Sequence, residues 1–276
     1  MSDLTPKEIL ERVIPIARAA AERIRAVYAG TFTVEFKGKD DPVTTADRDA
    51  DAIICSALTR AFPDIPIVSE EGDASTFDAR HASERVWFVD PLDGTRDFVD
   101  RNGEFAVMIG LAEAGRAVLG VIDCPASNRC FVGAEGLGAF EFKDDTWYPI
   151  HVSSLDLLEH ARLVVSRSRP SAVLTARAKS LGITRIASLG SAGLKALRVA
   201  CGEADIYAHL GTAGFRWDAC APEAIVVAAG GKVTTSRGEP IDYRARSLEN
   251  TEGILVTNGV LHAPVLEALS SKTSSC

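Results

Sequence analysis

The spacing of hydrophobic residues predicts a long helix near the start of the chain. Apolar side chains recur every three or four positions over residues 9–27, which is the period of one helix face. Thr5 stands before this pattern and Glu8 follows three residues later, the arrangement of a capping box. Gly30 comes after the pattern as a stop signal. We therefore predict a helix that begins directly after Thr5 and ends before Gly30, with a kink at Pro15 or a later start as the alternative.

The pattern changes after this helix to short apolar runs bounded by turn-forming residues. One helical stretch covers about residues 45–62, and Glu113 to Arg116 forms a tight hairpin between two of the apolar runs. The predicted strands are 32–42 (a short strand running into a loop at 38–42), 65–69, 86–90, 106–112, 117–122 and a pair within 129–142.

Strands and helices alternate beyond residue 150. Strands are predicted at 163–166, 185–188, 205–208, 231–234 and 253–257, and helices at 171–181, 191–201, 217–229 and 260–270. The hairpin-rich first half and the alternating second half predict an α/β protein of the layered α+β kind. We expect an N-terminal α+β half over residues 1–150 and a C-terminal α/β half over 151–276.

Composition and charge exclude several classes of protein. The chain has 276 residues, of which 46% are hydrophobic and 25% charged, as in an ordinary globular protein. Its net charge of −8 argues against binding a nucleic acid polymer, which needs clustered Lys and Arg, although a local cation site still admits a small anion. The polar residues 1–11 do not resemble a signal peptide, no apolar run reaches the ~20 residues of a membrane helix, and the six cysteines include no Cys-x-x-Cys pair. We expect a cytoplasmic protein with reduced thiols.

The candidate chemistry begins where an apolar strand ends at Asp90. Asp93 follows three residues later, so both carboxylates can face the cleft beyond the strand end, and the Leu92 carbonyl lies in the turn between them. Gly94 allows close approach of the backbone to a ligand, and the amides of Gly94 and Thr95 are candidates for binding phosphate oxygens. An isolated Asp-x-x-Asp is more often a solvated turn, so the interpretation depends on the residues it is combined with.

Further carboxylates stand at comparable positions. Glu70 follows another predicted strand, and Asp218 begins a predicted helix. Four carboxylates that meet in one cleft repel each other unless a cation lies between them. Because the donors are all oxygens, magnesium is favoured over zinc or copper, and two such ions can activate a water and stabilise a leaving alkoxide.

Four motifs together carry a family resemblance. The Asp-Pro-Leu-Asp-Gly-Thr of residues 90–95 resembles the signature of the inositol monophosphatase-like, lithium-sensitive phosphatases. Residues 41–47, residues 69–71, and Trp217-Asp218 with the later residues 228–231 match the same family in the right order. The match runs through most of the chain.

The resemblance implies a fold, a metal site and a mechanism. The fold is the five-layered αβαβα sandwich of the inositol monophosphatase and fructose-1,6-bisphosphatase type, with two or three Mg²⁺ per active site. Asp47 and Thr95 would orient and deprotonate the attacking water, with Glu70 as a further catalytic residue. Lithium and calcium would inhibit. The metal ligands it implies are Glu70, Asp90, the Leu92 carbonyl, Asp93 and Asp218.

The second half carries the candidate substrate contacts. The amides of Ser191 and Ala192 open a helix and are candidates for holding a phosphate. His209 stands where inositol monophosphatases typically have an acid that binds sugar hydroxyls. Together with Lys195 and Arg216 it favours a substrate with two phosphates, although a solvated Lys195 and a purely structural His209 remain alternatives.

Three stretches resemble the 3′(2′),5′-bisphosphate nucleotidases, namely residues 101–105, 194–195 and 217–224. This subfamily removes the 3′-phosphate of adenosine 3′,5′-bisphosphate (PAP), giving AMP and phosphate, and serves sulfur assimilation. The alternatives are an inositol or other sugar monophosphatase, a fructose-1,6-bisphosphatase, and a non-catalytic metal or nucleotide binder. The expected partner is a small anionic phosphate ester, and a homodimer is compatible with the sequence.

Overall fold

The opening helix begins at the capping box. The computed structural model describes residues 4–38 and 41–270, and its first helix, α1, spans Pro6–Ala29. The Glu8 amide donates to Thr5 Oγ1 at 3.3 Å, and the Thr5 amide donates to the Glu8 carboxylate at 2.8 Å. These two bonds satisfy helix-end amides that have no partner within the helix. The predicted start and end of this helix are confirmed.

Six further α-helices and fourteen strands follow in the described part of the chain, and of these helices only the short one at Thr95–Val99 was not predicted. The other helices are α2 (Thr45–Ala61), α3 (Thr95–Val99), α4 (Ala172–Ser180), α5 (Ala192–Ala200), α6 (Arg216–Ala228) and α7 (His262–Ser270). The strands of the first half are β1 (Val34–Gly38), β2 (Asp41–Thr44), β3 (Ile67–Ser69), β4 (Arg85–Asp93), β5 (Ala106–Glu113), β6 (Arg116–Cys124), β7 (Arg129–Ala134), β8 (Gly138–Lys143) and β9 (Thr146–Pro149). Those of the second half are β10 (Arg162–Ser166), β11 (Arg185–Leu189), β12 (Ile206–His209), β13 (Lys232–Thr234) and β14 (Ile254–Thr257).

Strands β3 to β9 form a seven-stranded sheet in sequence order. Only the β3–β4 pair is parallel within it. In the central strand β4, Trp87 and Val89 pack against α1 and α2, whereas Val86 and Phe88 face the opposite side. Because side chains alternate across a strand, an unbroken apolar run is what a strand covered on both faces requires.

The second sheet has five strands in the order β11-β10-β12-β14-β13. Strand β10 is parallel to β11 and β12, and β14 is antiparallel to its two neighbours. One face of this sheet packs on α5 and α6, and the other packs on α4 and α7. The carboxyl ends of the parallel strands β10 and β11 therefore lie at one edge, and a cleft opens there.

The packing produces five layers. They are the helix pair α1 and α2, the seven-stranded sheet, the pair α5 and α6, the five-stranded sheet, and the pair α4 and α7. The predicted layered αβαβα fold is confirmed. The division into two halves at residue 150 stays a prediction. No helix in the described part of the chain is long and apolar enough to cross a membrane.

The differences from the predicted elements are local. Residues 34–44 form two antiparallel strands, not one strand and a loop, and residues 39 and 40 of that loop lie outside the described residues. Strand β4 continues to Asp93, three residues beyond its predicted end, with an irregular register between Asp90 and Asp93. Strand β9 was not predicted because it is a short, half-exposed edge strand that ends in Pro149.

Candidate active site

The turn after β4 is built by hydrogen bonds within its own motif. The Leu92 amide donates to Asp90 Oδ1 at 3.0 Å, and the Thr95 hydroxyl oxygen lies 3.1 Å from the Leu92 carbonyl oxygen. Gly94 has a φ of +93°, and a Cβ there would lie 2.7 Å from the Glu104 carbonyl oxygen. Only glycine satisfies both conditions without strain. The turn thus fixes Asp90 and Asp93 at the mouth of the cleft.

Three predicted metal ligands meet at this point. Asp90, Asp93 and Asp218 each offer an oxygen atom, and these three oxygens lie within 4.8 Å of one another. Asp218 comes from the first turn of α6, where its carboxylate accepts a 2.6 Å hydrogen bond from the Phe215 amide. Glu70 lines the same cleft beside Asp90. The fold therefore brings Glu70 and Asp218, which are 148 positions apart in the sequence, to the same cleft.

The electrostatics of this cluster favour a bound cation. Burial raises the pKa of Asp90 well above its usual value, and the charges of Glu70, Asp93 and Asp218 raise it further. Burial, followed by the charge of Asp93, also raises the pKa of Asp218 to about 7. Carboxylates that resist ionisation because they repel each other are stabilised when a positive charge lies between them.

Asp47 and Thr95 form the predicted pair. The Thr95 hydroxyl donates to Asp47 Oδ1 at 2.9 Å across the gap between α3 and α2. The second oxygen of Asp47 accepts from the Thr44 amide at 2.8 Å and from the Thr44 hydroxyl at 2.7 Å, which caps α2. Asp47 is buried, and burial raises its pKa despite these hydrogen bonds. The geometry therefore joins a helix cap to the Thr95 hydroxyl at the cleft.

The start of α5 does not present its amides to an open site. The Ala192 and Gly193 amides donate to the two oxygens of Asp93 at 3.0 and 2.7 Å, and the Ser191 hydroxyl donates to the same carboxylate. The prediction assigned the Ser191 and Ala192 amides to substrate phosphate. In this structure the Ala192 amide and the Ser191 hydroxyl orient Asp93, although both residues line the cleft. Their contact with substrate stays a prediction.

Lys195 is a buried residue that lines the cleft. Its ammonium donates to the Gly190 carbonyl at 3.2 Å and to the Ser191 carbonyl at 2.6 Å, and burial lowers its pKa to about 8. The structure thus excludes the alternative of a solvated helix residue. The charge stabilises the turn before α5, so any contact with substrate would be shared with these carbonyls.

His209 and Arg216 have different outcomes. His209 lines the cleft at the end of β12, and burial, followed by the charges of Arg169 and Lys195, lowers its pKa. Arg216 donates to the Asp242 carbonyl at 3.0 Å and to the Asn250 side chain, and it is absent from the described cleft lining. The prediction placed Arg216 at the substrate. In the structure the Arg216 guanidinium holds the loop after β13, and its contact with substrate stays a prediction.

The structure adds an ion-pair network that sequence reasoning missed. Arg167, just after β10, pairs with Glu104, and its Nη1 also donates to Asp97 Oδ1 at 3.1 Å. Glu104 accepts the Gly190 amide at 2.6 Å. The network joins the segment after α3 to the turn before α5. Only the Arg-Asn-Gly-Glu-Phe stretch of residues 101–105 gave a signal for it, since the partners lie 63 and 70 residues apart in sequence.

Further residues of the cleft lining were also missed. Ser166, the last residue of the apolar strand β10, lines the same cleft as the carboxylates, and so do Ser168 and Arg169, which follow the strand. A polar segment directly after a buried strand was the available signal, because strand ends of an α/β sheet commonly border a binding site.

Comparisons with known proteins follow this geometry. A model of the inositol monophosphatase family matches residues 5–274. A curated protein of Salmonella typhimurium, "3′(2′),5′-bisphosphate nucleotidase CysQ", is 38% identical over 251 residues, which is 90% of this chain and 99% of the relative. The protein of the same name from Escherichia coli (strain K12) is 37% identical over 240 residues, 86% of this chain and 95% of the relative.

Solved structures share the fold. CysQ from Bacteroides thetaiotaomicron superposes with a TM-score of 0.75 at 29% identity, covering 90% of this chain and 96% of that one. An inositol monophosphatase from Anabaena superposes with a TM-score of 0.77 at 30% identity, covering 95% of both chains. The fold is therefore shared between nucleotidases and inositol phosphatases, so the fold alone does not select the substrate.

Proposed function

Because this chain belongs to the inositol monophosphatase family, we propose that it is a magnesium-dependent phosphatase that removes the 3′-phosphate of PAP, giving AMP and phosphate. The observation that carries this proposal is the set of curated relatives named as bisphosphate nucleotidases, which match at 37–38% identity over most of the chain. PAP is a by-product of sulfate activation and sulfonate transfer, so the enzyme would act in sulfur assimilation, in the cytoplasm. The inositol monophosphatase alternative rests on the shared fold and is less supported.

The donor set fits a hard divalent cation. Three buried or half-buried carboxylates converge at Asp90, Asp93 and Asp218, and the cluster contains no nitrogen or sulfur donor. Oxygen-only sites suit Mg²⁺. We expect Glu70, through its side chain, and Leu92, through its carbonyl, to complete the ligand set for two or three ions. Bound magnesium would make a coordinated water more acidic and would neutralise charge that develops on the leaving oxygen.

Residues of the chain would supply the proton transfer, the approach to the phosphate and the orientation of the metal ligands. The Thr95 hydroxyl, held by Asp47, is placed to accept the proton of the attacking water and pass it to the carboxylate. Gly94 lets the backbone approach the reacting phosphate closely. The α5 amides keep Asp93 oriented toward the cluster. Positioning of this kind supplies much of the rate enhancement in phosphoryl transfer.

The test is phosphate release from PAP with magnesium present, with EDTA, and after magnesium is restored. We expect activity in the first and third conditions only. Asp90→Asn should lower kcat by at least ~10²-fold while the protein stays folded, because one ligand charge is lost from the cluster. Asp145→Asn, in the exposed turn between β8 and β9, is the matched control and should keep full activity. An Asp90→Asn enzyme of normal rate at saturating magnesium would overturn the metal assignment. Light scattering of the same preparation tests whether the protein is a monomer or the homodimer with which the sequence is compatible.

A further inference from the structure

Arg169 is an exposed cation at the cleft whose guanidinium has no ion-pair partner among the described residues. It follows β10 and lines the cleft together with the carboxylate cluster. No ion pair within the described part of the chain includes Arg169, whereas Arg167, two residues earlier, pairs with Glu104 and Asp97. Two arginines of one short segment thus have different environments.

The two cations that the sequence analysis assigned to the substrate both donate hydrogen bonds to groups of the protein. Lys195 donates to the Gly190 and Ser191 carbonyls, and Arg216 donates to the Asp242 carbonyl and the Asn250 side chain. A guanidinium that faces solvent across a cleft is available to a ligand at no cost in lost protein hydrogen bonds.

The segment around Arg169 is ordered by its serines. The Arg169 amide donates to Ser166 Oγ at 3.2 Å, and Ser166 Oγ lies 3.4 Å from Ser168 Oγ. Ser166 is buried, and both serines line the cleft. The turn thus presents a guanidinium and hydroxyl groups together, and both groups bind phosphate oxygens.

The cleft contains both carboxylates and nitrogen groups. Acidic residues gather at Asp90, Asp93 and Asp218, where a metal-bound phosphoryl group would react. Arg169, Lys195 and His209 line the same cleft. Burial lowers the pKa of His209 and the charges of Arg169 and Lys195 lower it further, and the same two charges also act on Asp218. A substrate with two phosphates can use both kinds of group, whereas one with a single phosphate uses the carboxylate cluster and its metal alone.

We propose that Arg169 binds the non-reacting phosphate of a bisphosphate substrate, the 5′-phosphate in the case of PAP, and so sets the preference for bisphosphates over monophosphates. The inference rests on the proposed function. A guanidinium can bind a phosphate with two parallel hydrogen bonds, which an ammonium cannot do. Arg169 would act in substrate binding and not in the chemical step.

The experiment compares kcat/KM for PAP and for adenosine 3′-monophosphate, which lacks only the 5′-phosphate. In Arg169→Ala we expect kcat/KM for PAP to fall about 10- to 100-fold, mainly through KM, and that for the monophosphate to change less than about twofold. Arg169→Lys should fall between the two enzymes on PAP. Arg185→Ala, which removes an exposed arginine at the opposite end of β11, is the matched control and should leave both values unchanged.

The outcomes separate the two proposals. A wild-type enzyme that does not hydrolyse PAP overturns the proposed function, and the inference with it. A wild-type enzyme that hydrolyses PAP, with an Arg169→Ala variant that loses equally on both substrates or on neither, overturns the inference alone. Thermal unfolding of each variant checks that it is folded. If Arg169→Ala fails to fold, the PAP-to-monophosphate ratio of Arg169→Gln decides in the same way.

Discussion

Asp47 shows how one side chain serves both folding and chemistry. Its Oδ2 caps α2 through Thr44, while its Oδ1 accepts the Thr95 hydroxyl. The capping bonds fix the carboxylate, and the fixed carboxylate orients the hydroxyl. A mutation of Asp47 therefore disturbs the helix and the site together, whereas a mutation of Thr95 affects the site alone.

Thr95→Ala is expected to lower kcat about 10²-fold with little change in KM, because the hydroxyl would transfer a proton in the reaction. The substitution leaves the cap of α2 intact, since that cap is formed by Thr44 and Asp47. Steady-state kinetics on PAP measure this. Thr95→Ser keeps the hydroxyl and should retain most of the rate. Equal losses in the Ala and Ser variants would show that the methyl group matters and the hydroxyl does not.

Asp123 should make stability depend on pH. Its side chain is fully buried on β6, 3.2 Å from the Arg18 guanidinium, and burial raises its pKa to about 6 against the charges of Arg18 and Arg25. Between about pH 4 and 6 the folded state thus binds more protons than the unfolded state, so the free energy of unfolding falls as the pH rises. Above about pH 6 the full cost of burying the ionised Asp123 carboxylate is present.

In Asp123→Asn this pH-dependent cost is absent, and Arg18 keeps a 3.2 Å hydrogen bond to the Phe142 carbonyl. We expect the stability of the variant relative to wild type to rise by about 1–3 kcal/mol from pH 4 to pH 7. Urea unfolding at a series of pH values measures it. A relative fall over the same range would mean that the ion pair with Arg18 outweighs the desolvation of Asp123.

At the scale of elements, a row of glycines lets α6 reach the seven-stranded sheet. Gly110, Gly120 and Gly133 stand opposite one another on β5, β6 and β7. A Cβ on Gly120 would lie 2.3 Å from the Ala221 carbonyl oxygen, and one on Gly110 would lie 2.6 Å from the Ala221 amide nitrogen. The close approach of α6, which carries Asp218 into the cleft, therefore depends on glycines at these three positions of the sheet.

Gly120→Ala should force α6 away from the sheet. We expect a loss of about 1–3 kcal/mol in stability, as for other overpacked cores, together with weaker metal binding because Asp218 moves with the helix. Thermal unfolding and magnesium titration of activity measure the two effects. Gly30→Ala, where a new Cβ would meet nothing closer than 3.7 Å, is the control. A fully active and stable Gly120→Ala enzyme would contradict this account of how α6 is placed.

At the scale of the whole molecule, the two sheets contribute opposite charges to one cleft. The end of β4 in the larger sheet carries Asp90 and Asp93, and the segment after β10 in the smaller sheet carries Arg169. The carboxylate cluster also needs Asp218, which comes from α6 between the two sheets. Substrate recognition and metal binding therefore depend on how the five layers pack.

The features of this arrangement that could be predicted are those that depend on residues close together in the sequence. Apolar runs located the strands, and the carboxylates at their ends located the cluster. The partners of Arg167 and Arg216 were not predictable, because each pairs with residues distant in sequence whose meeting depends on the layers. The same holds for the α5 amides, which contact Asp93 from 99 and 100 residues away and were expected to face a phosphate.

The most direct test of the central claim is a comparison of kcat/KM for PAP, inositol 1-phosphate and fructose 1,6-bisphosphate, with magnesium present. The proposed function predicts that PAP is preferred by tenfold or more, which is about 1.4 kcal/mol of transition-state preference. A higher kcat/KM for inositol 1-phosphate would contradict it, and would show that the nitrogen groups of the cleft do not bind a second phosphate.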